Sequence, residues 1–247
     1  EDGREFRARA VAANVNPKLL FGKLLDKSNV PPEFYARMMN WRCTSGTFRM
    51  NVALRELPDF TCLPGKIQAG HHTAGIILAP DVEYMERAYI EARQNGWSQN
   101  PVVEMLIPST IDSTLAPSDH HVASLFCQHF DYDLPGDRSW DDEREAAADV
   151  IIDTVNRFAP NFSDAVIARQ ILSPLDLERD FGLIGGDIFH GALDLNQLFS
   201  LRPTLGYADY HMPLEGLYLC GSGAHPGGGV TGAPGHNAAR EILRELK

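Results

Sequence analysis

The residues with the clearest capacity for chemistry lie near the end of the chain, in a glycine-rich segment between two apolar stretches. Six glycines stand between Gly221 and Gly232, after the apolar run 217–220 and before Pro234, which suits a first helical turn. Glycine allows left-handed backbone angles and close contact between main chain and a flat ligand. The first-turn N–H groups of the following helix carry partial positive charge. The segment therefore favours a cofactor-binding loop over a plain strand-to-helix turn.

Common phosphate and nucleophile motifs do not describe this segment. It lacks the G-x-x-x-x-G-K-[ST] pattern of nucleoside triphosphate loops and the G-x-G-x-x-G spacing of a dinucleotide turn. Gly221, Ser222 and Gly223 also lack the G-x-S-x-G spacing of a nucleophile elbow. A nucleoside triphosphatase and a serine hydrolase are thereby disfavoured.

Two histidine pairs invite a metal interpretation. His71 and His72 form one pair, and His120 and His121 the other. If each pair lies on a strand, its side chains point to opposite faces, so a pair offers only one ligand to a given metal. No spacing matches a known ligand pattern, and the four cysteines include no C-x-x-C pair. We expect no metal site.

Composition limits the classes of partner and compartment. A formal net charge of -11 without a basic run argues against nucleic acid, whereas a helix amino terminus can still hold a single anionic cofactor. The longest apolar runs, such as 76–79, fall far short of the roughly 20 residues that span a bilayer. The chain begins with Glu1 and has no signal or transit pattern. We therefore expect Glu1 to be a cut end of a longer protein. We expect that protein to be located in the cytoplasm, or in mitochondria if the source is eukaryotic.

Hydrophobic periodicity predicts a sheet flanked by helices. Apolar and more polar residues alternate through 47–55, as in a half-buried strand. Helical stripes with capping signals occupy 81–95, closed by Gly96, and the stretch from Ser139 to Pro160. The further predicted strands are 4–14, 75–79, 102–108, 122–130 and 165–172, and shorter helices are predicted at 18–25 and from Pro32. Residues 182–211 show no period and are expected to form ordered loops.

The glycine segment 221–232 resembles the last FAD-binding segment of flavoproteins in the phytoene desaturase and amine oxidase group. The stretch 11–17 is similar to the strand with which that family's chain leaves the FAD domain. The stretches 185–191 and 201–203 are similar to segments that precede the final motif. The resemblance extends over nearly the whole chain.

This resemblance implies an α/β fold with an α+β substrate domain. A mixed sheet flanked by helices is expected, with the last strand and helix belonging to a Rossmann-like FAD-binding domain. The implied division is 1–17 for the end of the FAD-binding domain, 18–211 for the substrate-binding domain, and 212–247 for the carboxyl-terminal strand, loop and helix of the FAD-binding domain. The chain would then be the carboxyl-terminal part of an FAD-dependent oxidoreductase that oxidises or isomerises an unknown organic substrate.

The resemblance also implies roles for particular residues. Gly221, Ser222 and Gly223 would lie near the pyrophosphate and ribitol of FAD. The residues facing the pyrimidine edge of the flavin would be Gly229, Val230, Thr231 and Gly232, where the dipole of the last helix stabilises charge on the ring. Many relatives carry an acidic residue at the position of Ser222, so its contact differs here.

Three more polar side chains lie in the similar segments. His190 and His225 are candidates for a proton donor or acceptor, with a structural hydrogen bond to a loop carbonyl as the alternative. Arg202 is a candidate anchor for an acidic group of a small-molecule substrate, with a loop salt bridge as the alternative.

A competing hypothesis starts from the missing G-x-G-x-x-G motif, which leaves the adenosine half of the usual site outside these residues. The fragment alone should then bind FAD weakly or not at all, be inactive, and require the missing amino-terminal FAD-binding segment as its partner. The alternative function is a non-catalytic binding or assembly module with a degenerate flavin fold. A homodimer is a further candidate assembly.

Overall fold

A computed structural model describes residues 3–44 and 46–247 of the chain. The predicted cut end at Glu1 lies outside the described residues. The chain forms two compact units. The first comprises the described residues of 1–45 together with Gly182–Lys247, and the second is Gly46–Phe181. The first unit is therefore assembled from both ends of the chain.

The helices and strands follow one another in a mixed order. The strands are β1 (Val11–Ala13), β2 (Phe48–Leu54), β3 (Ile76–Leu78), β4 (Trp97–Leu106), β5 (His121–Phe130), β6 (Val166–Leu172) and β7 (Leu217–Leu219). The helices are α1 (Pro17–Leu19), α2 (Pro32–Met39), α3 (Val82–Asn95), α4 (Trp140–Phe158), α5 (Phe162–Ala165), α6 (Pro174–Phe181) and α7 (Ala233–Glu245). A π-helical turn, Leu20–Leu24, continues α1.

The second unit is built on an antiparallel sheet with the strand order β3-β4-β5-β2-β6. Every second residue of β2 is buried, which is the alternation expected of a strand with one face on the core. That face and the apolar stripe of α4, which includes Ile151 and Val155, belong to one hydrophobic cluster. The predicted strand at 47–55 is confirmed.

Local capping signals fix the helices of the second unit. The Asp81 carboxylate accepts the backbone N–H of Tyr84 at 2.7 Å, and α3 ends at Gly96 with a φ of 91°. Ser139 precedes α4 as predicted, but its hydroxyl donates to the Asp142 carboxylate at 2.7 Å instead of accepting a backbone N–H. The helices α5 and α6 were not predicted.

The first unit contains the parallel pair β1 and β7, in which Ala12 lies opposite Tyr218. The predicted strand at 4–14 is wrong in length, because only Val11–Ala13 finds a partner strand. The Asn16 carboxamide oxygen accepts the N–H of Lys18 at 2.8 Å and begins α1 at Pro17, as the sequence indicated. Residues 182–211 form loops with short 3-10 turns, also as expected.

The fold class predicted from the sequence, a mixed α/β fold with sheets flanked by helices, is confirmed. The assignment of 18–211 to a substrate-binding domain concerns function and stays a prediction. Among the described residues, no helix combines the length and apolar character that crossing a bilayer requires.

Candidate functional site

The loop that follows β7 passes very close to other backbone and side chains of the first unit. A Cβ on Gly221 would lie 2.0 Å from Oδ1 of Asn14, and one on Gly223 would lie 2.5 Å from Cδ of Pro17. A Cβ on Gly228 would lie 2.6 Å from Cδ1 of Phe189. None of these glycines has a positive φ, so the close packing alone excludes a side chain at each.

The end of the loop is an exposed turn. Gly229, Val230 and Gly232 have φ values of 119°, 56° and 72°, and the Val230 side chain is fully exposed. Helix α7 begins one residue later, and the Thr231 hydroxyl accepts the N–H of Ala233 at 3.2 Å. Residues 229–231 therefore lie immediately before the helix, and Pro234 lies in its first turn, as the sequence indicated. The turn presents the backbone of two glycines and the exposed Val230 side chain at the positive end of α7.

Arg202 is the largest fully buried side chain near the loop. Its Nε donates to the carbonyl oxygen of Ser222 at 2.7 Å, and Nη2 donates to that of Phe189 at 2.8 Å. The guanidinium also donates to three more carbonyl oxygens, those of Gly191, Ala192 and Gln197. One cation thus joins the 189–197 loop to the glycine loop.

Burial lowers the pKa of Arg202 to about 10, and the negative charge of the buried Asp187 opposes that change. The group remains cationic at neutral pH. Its guanidinium lies 5.2 Å from the centre of the Trp41 ring, a cation–π contact that holds it in place. Contact of Arg202 with a substrate stays a prediction. It would require the guanidinium to replace hydrogen bonds to carbonyl oxygens with hydrogen bonds to the substrate.

The two candidate histidines share one property. Nδ1 of His190 and Nδ1 of His225 are buried and have no hydrogen-bond partner among the residues that the structure describes. Burial lowers the pKa of His190, partly offset by Asp187. His190 also has a φ of 57°, and its carbonyl oxygen accepts the indole N–H of Trp41 at 2.9 Å. Their role in proton transfer stays a prediction.

Several residues that support the loop were not identified as site residues from the sequence. Asn14 and Phe189 meet the glycines, Trp41 stacks on Arg202, and Gln197 is buried with its carboxamide nitrogen donating to the Arg42 carbonyl at 3.0 Å. Asn14 and Phe189 do belong to stretches similar to the family. For Trp41 and Gln197 the sequence carries no signal, because Trp41 contacts His190 and Arg202, and Gln197 bonds Arg42, all of them distant in sequence.

The rings of His71 and His72 make contacts within the fold. The pair lies in a 3-10 turn, Gly70–Thr73, and not on a strand, so the two rings lie on neighbouring positions with centres 3.9 Å apart. Nε2 of His72 is 3.0 Å from the carbonyl oxygen of Pro58, and Nδ1 accepts the N–H of Ala69 at 3.2 Å. Within the described part of the chain, no group of three His, Cys, Asp or Glu residues is arranged to hold a metal ion.

Comparison with known proteins finds that the chain is similar to oxidoreductases. No family model matches it. The whole chain is 43% identical to pyridine nucleotide-disulfide oxidoreductase domain-containing protein 2 of Mus musculus, covering 43% of that protein. It is 22% identical, over 95% of its length, to 44% of the lycopene-forming phytoene desaturase of Pantoea ananas. The chain thus spans less than half the length of these curated relatives.

Among solved structures, cyclohexylamine oxidase from Brevibacterium oxydans superposes on 99% of the chain with a TM-score of 0.55 and 15% identity, over 44% of the oxidase. At this identity the match shows the fold alone. The sequence matches and the shared fold agree in class. The chain is similar to oxidoreductases of the phytoene desaturase group and has the fold of an amine oxidase. It is similar over its whole length to pyridine nucleotide-disulfide oxidoreductase domain-containing protein 2.

Proposed function

We propose that this chain is the carboxyl-terminal part of an FAD-dependent oxidoreductase, and that the loop 221–232 forms part of its FAD site. The observation that carries the proposal is the exposed turn 229–232, in which Gly229 and Gly232 have positive φ and which lies directly before α7. The three earlier glycines of the loop pack so closely on other residues of the first unit that no side chain fits, which fixes the path of the loop. Exposed glycine backbone at the amino terminus of a helix fits a flat, anionic ligand that must touch main chain.

The described residues would divide the cofactor between them. Gly221, Ser222 and Gly223, which follow β7, would hold the pyrophosphate and ribitol. The turn 229–232 would meet the pyrimidine edge of the flavin, where the positive end of α7 favours negative charge on the ring. When bound, FAD supplies a group that accepts a hydride or electrons from an organic substrate.

The remaining parts of the proposal concern the complete protein. Residues 1–17 and 212–247 would belong to the FAD-binding domain, and 18–211 to the substrate-binding domain. An amino-terminal segment outside this chain would supply the adenosine half of the site, because no G-x-G-x-x-G follows an early strand here. The substrate is a small organic molecule, the compartment is cytoplasmic or mitochondrial, and a homodimer is the assembly to test.

His190 and His225 are the proposed proton-transferring side chains. Each has a buried Nδ1 that finds no hydrogen-bond partner in the described part of the chain. The lowered pKa of His190 keeps its ring neutral near pH 7, in the form that accepts a proton. Nδ1 of either ring could therefore exchange a proton with a substrate or cofactor without first breaking a hydrogen bond to the described residues.

The proposal is tested by purifying the complete protein and measuring flavin absorbance before and after reconstitution with FAD. We expect about one FAD per chain of the complete protein, since the site is single. The proposal is contradicted if careful preparations show no flavin absorbance and added FAD is not retained on gel filtration. That result would favour a non-catalytic binding module.

A further inference from the structure

The peptide between Ser222 and Gly223 is held from one side by a buried cation. Nε of Arg202 donates to the Ser222 carbonyl oxygen at 2.7 Å, and the Arg202 side chain has no exposed surface. The peptide is not among the cis peptides of the chain. In a trans peptide the C=O and N–H bonds point in opposite directions. The N–H of Gly223 is therefore directed away from Arg202.

The N–H group of this buried glycine has no acceptor among the described residues. By contrast, the N–H of Ala224 donates to the Gly221 oxygen at 2.9 Å, and the N–H of Gly227 donates to the Ala224 oxygen at 2.8 Å. A buried, unsatisfied backbone donor is uncommon and costly. It points to an acceptor that comes from a ligand.

Donation by Arg202 also changes the strength of the Gly223 donor. Hydrogen bonds in a chain polarise one another, so a cation bonded to the carbonyl oxygen draws electron density from the amide and makes its N–H a stronger donor. Hydrogen bonds with one charged partner are stronger than neutral ones. The effect is greatest where water is excluded, as it is around this fully buried guanidinium.

We propose that Arg202 is a positioning residue that fixes the Ser222–Gly223 peptide and strengthens its N–H for an anionic oxygen of the bound cofactor, the pyrophosphate of FAD. This inference rests on the proposed function. It gives Arg202 a role through the backbone, in place of the substrate contact that the resemblance implied.

The geometry explains why arginine, and not lysine, suits this position. The planar guanidinium reaches five carbonyl oxygens, and its Cζ lies over the Trp41 ring, 5.2 Å from the ring centre. An ammonium group has three donors and no planar face, so a lysine retains the charge but loses most of these bonds. Arg202→Lys should therefore be intermediate between the natural protein and Arg202→Met.

The experiment titrates FAD into the apo form of the complete protein and follows the quenching of flavin fluorescence. Because bonds to charged groups are worth more than neutral ones, we expect Arg202→Met to weaken FAD binding by roughly tenfold or more. Arg202→Lys should weaken it less, and in its holoprotein the phosphorus NMR signal of the FAD pyrophosphate should move. The matched control is Arg144→Met, which removes a half-buried arginine bonded to Ile171 and Asp176 in the second unit.

A second measurement needs no variant. In the natural protein, FAD should slow amide hydrogen exchange in the peptide that contains Gly223. The inference is overturned if FAD binds without slowing that exchange, or if folded Arg202 variants bind FAD as tightly as the Arg144 control with an unchanged phosphorus signal. If the natural apoprotein takes up no FAD at all, the proposed function itself fails.

Discussion

Glycine is required in the last loop for two different physical reasons, and the two reasons apply at different positions. At Gly221, Gly223 and Gly228 the backbone angles are ordinary, but neighbouring atoms occupy the space of a side chain. At Gly229 and Gly232 no atom blocks a Cβ at close range, but φ is positive. Substitution therefore acts through clashes in the first part of the loop and through backbone strain in the second.

The first prediction concerns Gly223→Ala. Its Cβ would lie 2.5 Å from Cδ of Pro17, so the loop or α1 must shift. We expect a loss of stability of about 1–3 kcal/mol, as for other overpacked sites, together with weaker FAD binding by the complete protein. Thermal unfolding and FAD titration measure the two effects. Gly70→Ala is the control, because no atom lies within 4 Å of its Cβ and its φ is not positive; equal behaviour of the two variants would contradict the packing argument.

The second prediction concerns the pH dependence of His190. Burial lowers its pKa below 6.5 in the folded protein, so the unfolded chain binds the proton more readily. The neutral ring therefore contributes stability that is fully present above the unfolded pKa and is lost as the pH falls from that value through the lower folded pKa. Relative to His190→Gln, the natural protein should lose stability between pH 7.5 and about 5.5. Unfolding midpoints of both proteins at the two pH values measure this loss. If the difference in midpoint between the natural protein and His190→Gln stays constant, or shifts in favour of the natural protein at the lower pH, the buried neutral form is excluded.

At the scale of residues, the structure brings the predicted site positions together, but the sequence did not predict what they contact. The glycines, His190 and His225 all lie around the same loop region of the first unit. The surroundings of Arg202 could not be predicted, because its five partners are carbonyl oxygens, and every residue has one. Only the folded path of the 189–197 loop brings them together.

At the scale of elements, β7 is connected to both ends of α7. The loop sets the position of the first turn, and Glu245 in the last turn accepts hydrogen bonds from the Tyr218 hydroxyl and from Nε2 of His211, the latter at 2.8 Å. The bond to Glu245 raises the pKa of Tyr218 to about 12. The same contacts lower the pKa of Glu245, so the carboxylate is charged throughout the neutral range.

The third prediction is that Glu245→Gln loosens only the carboxyl-terminal turn of α7. Amide exchange there should become faster, by no more than about fivefold because exposed ion pairs are weak, while the first turn stays unchanged. The matched control is Glu241→Gln, which removes the ion pair with Arg244 on the same helix. Hydrogen exchange with mass spectrometry distinguishes the two turns. Faster exchange along the whole helix would mean that the Glu245 contacts support the loop as well.

Elements with local signals were predicted well, and elements that depend on distant partners were not. The caps at Asp81 and Gly96 fix α3 within a few residues, and alternation identifies β2. The strand predicted at 4–14 comprises only Val11–Ala13 in the structure, because its partner strand β7 has only three residues. Helix α6 was missed although Ser173 and Asp176 bond to each other at its start, a capping signal that the sequence did contain.

At the scale of the whole molecule, the first unit depends on both ends of the chain. Val11 pairs with Leu217 across a separation that no periodicity in the sequence reveals. The resemblance to the family predicts one domain from residues 1–17 and 212–247, and the described residues of both stretches lie in the first unit, which extends further along the chain on each side. The assignment of that domain to FAD binding is the part that remains a proposal.

The fourth prediction compares this chain with the complete protein. The chain covers 43% of its relative in Mus musculus and contains no dinucleotide turn, so it offers contacts to only one part of FAD. In parallel fluorescence titrations, we expect the complete protein to bind FAD tightly and the 247-residue chain to bind it weakly or not at all. Equal affinity would show that the site is complete within this chain.

The most direct test is an experimental structure of the complete protein with FAD bound. We predict a pyrophosphate oxygen within hydrogen-bonding distance of the Gly223 nitrogen, and the turn 229–232 against the pyrimidine edge of the isoalloxazine. A structure in which FAD lies elsewhere, while this turn faces only solvent, would contradict the assignment of the glycine loop to the cofactor.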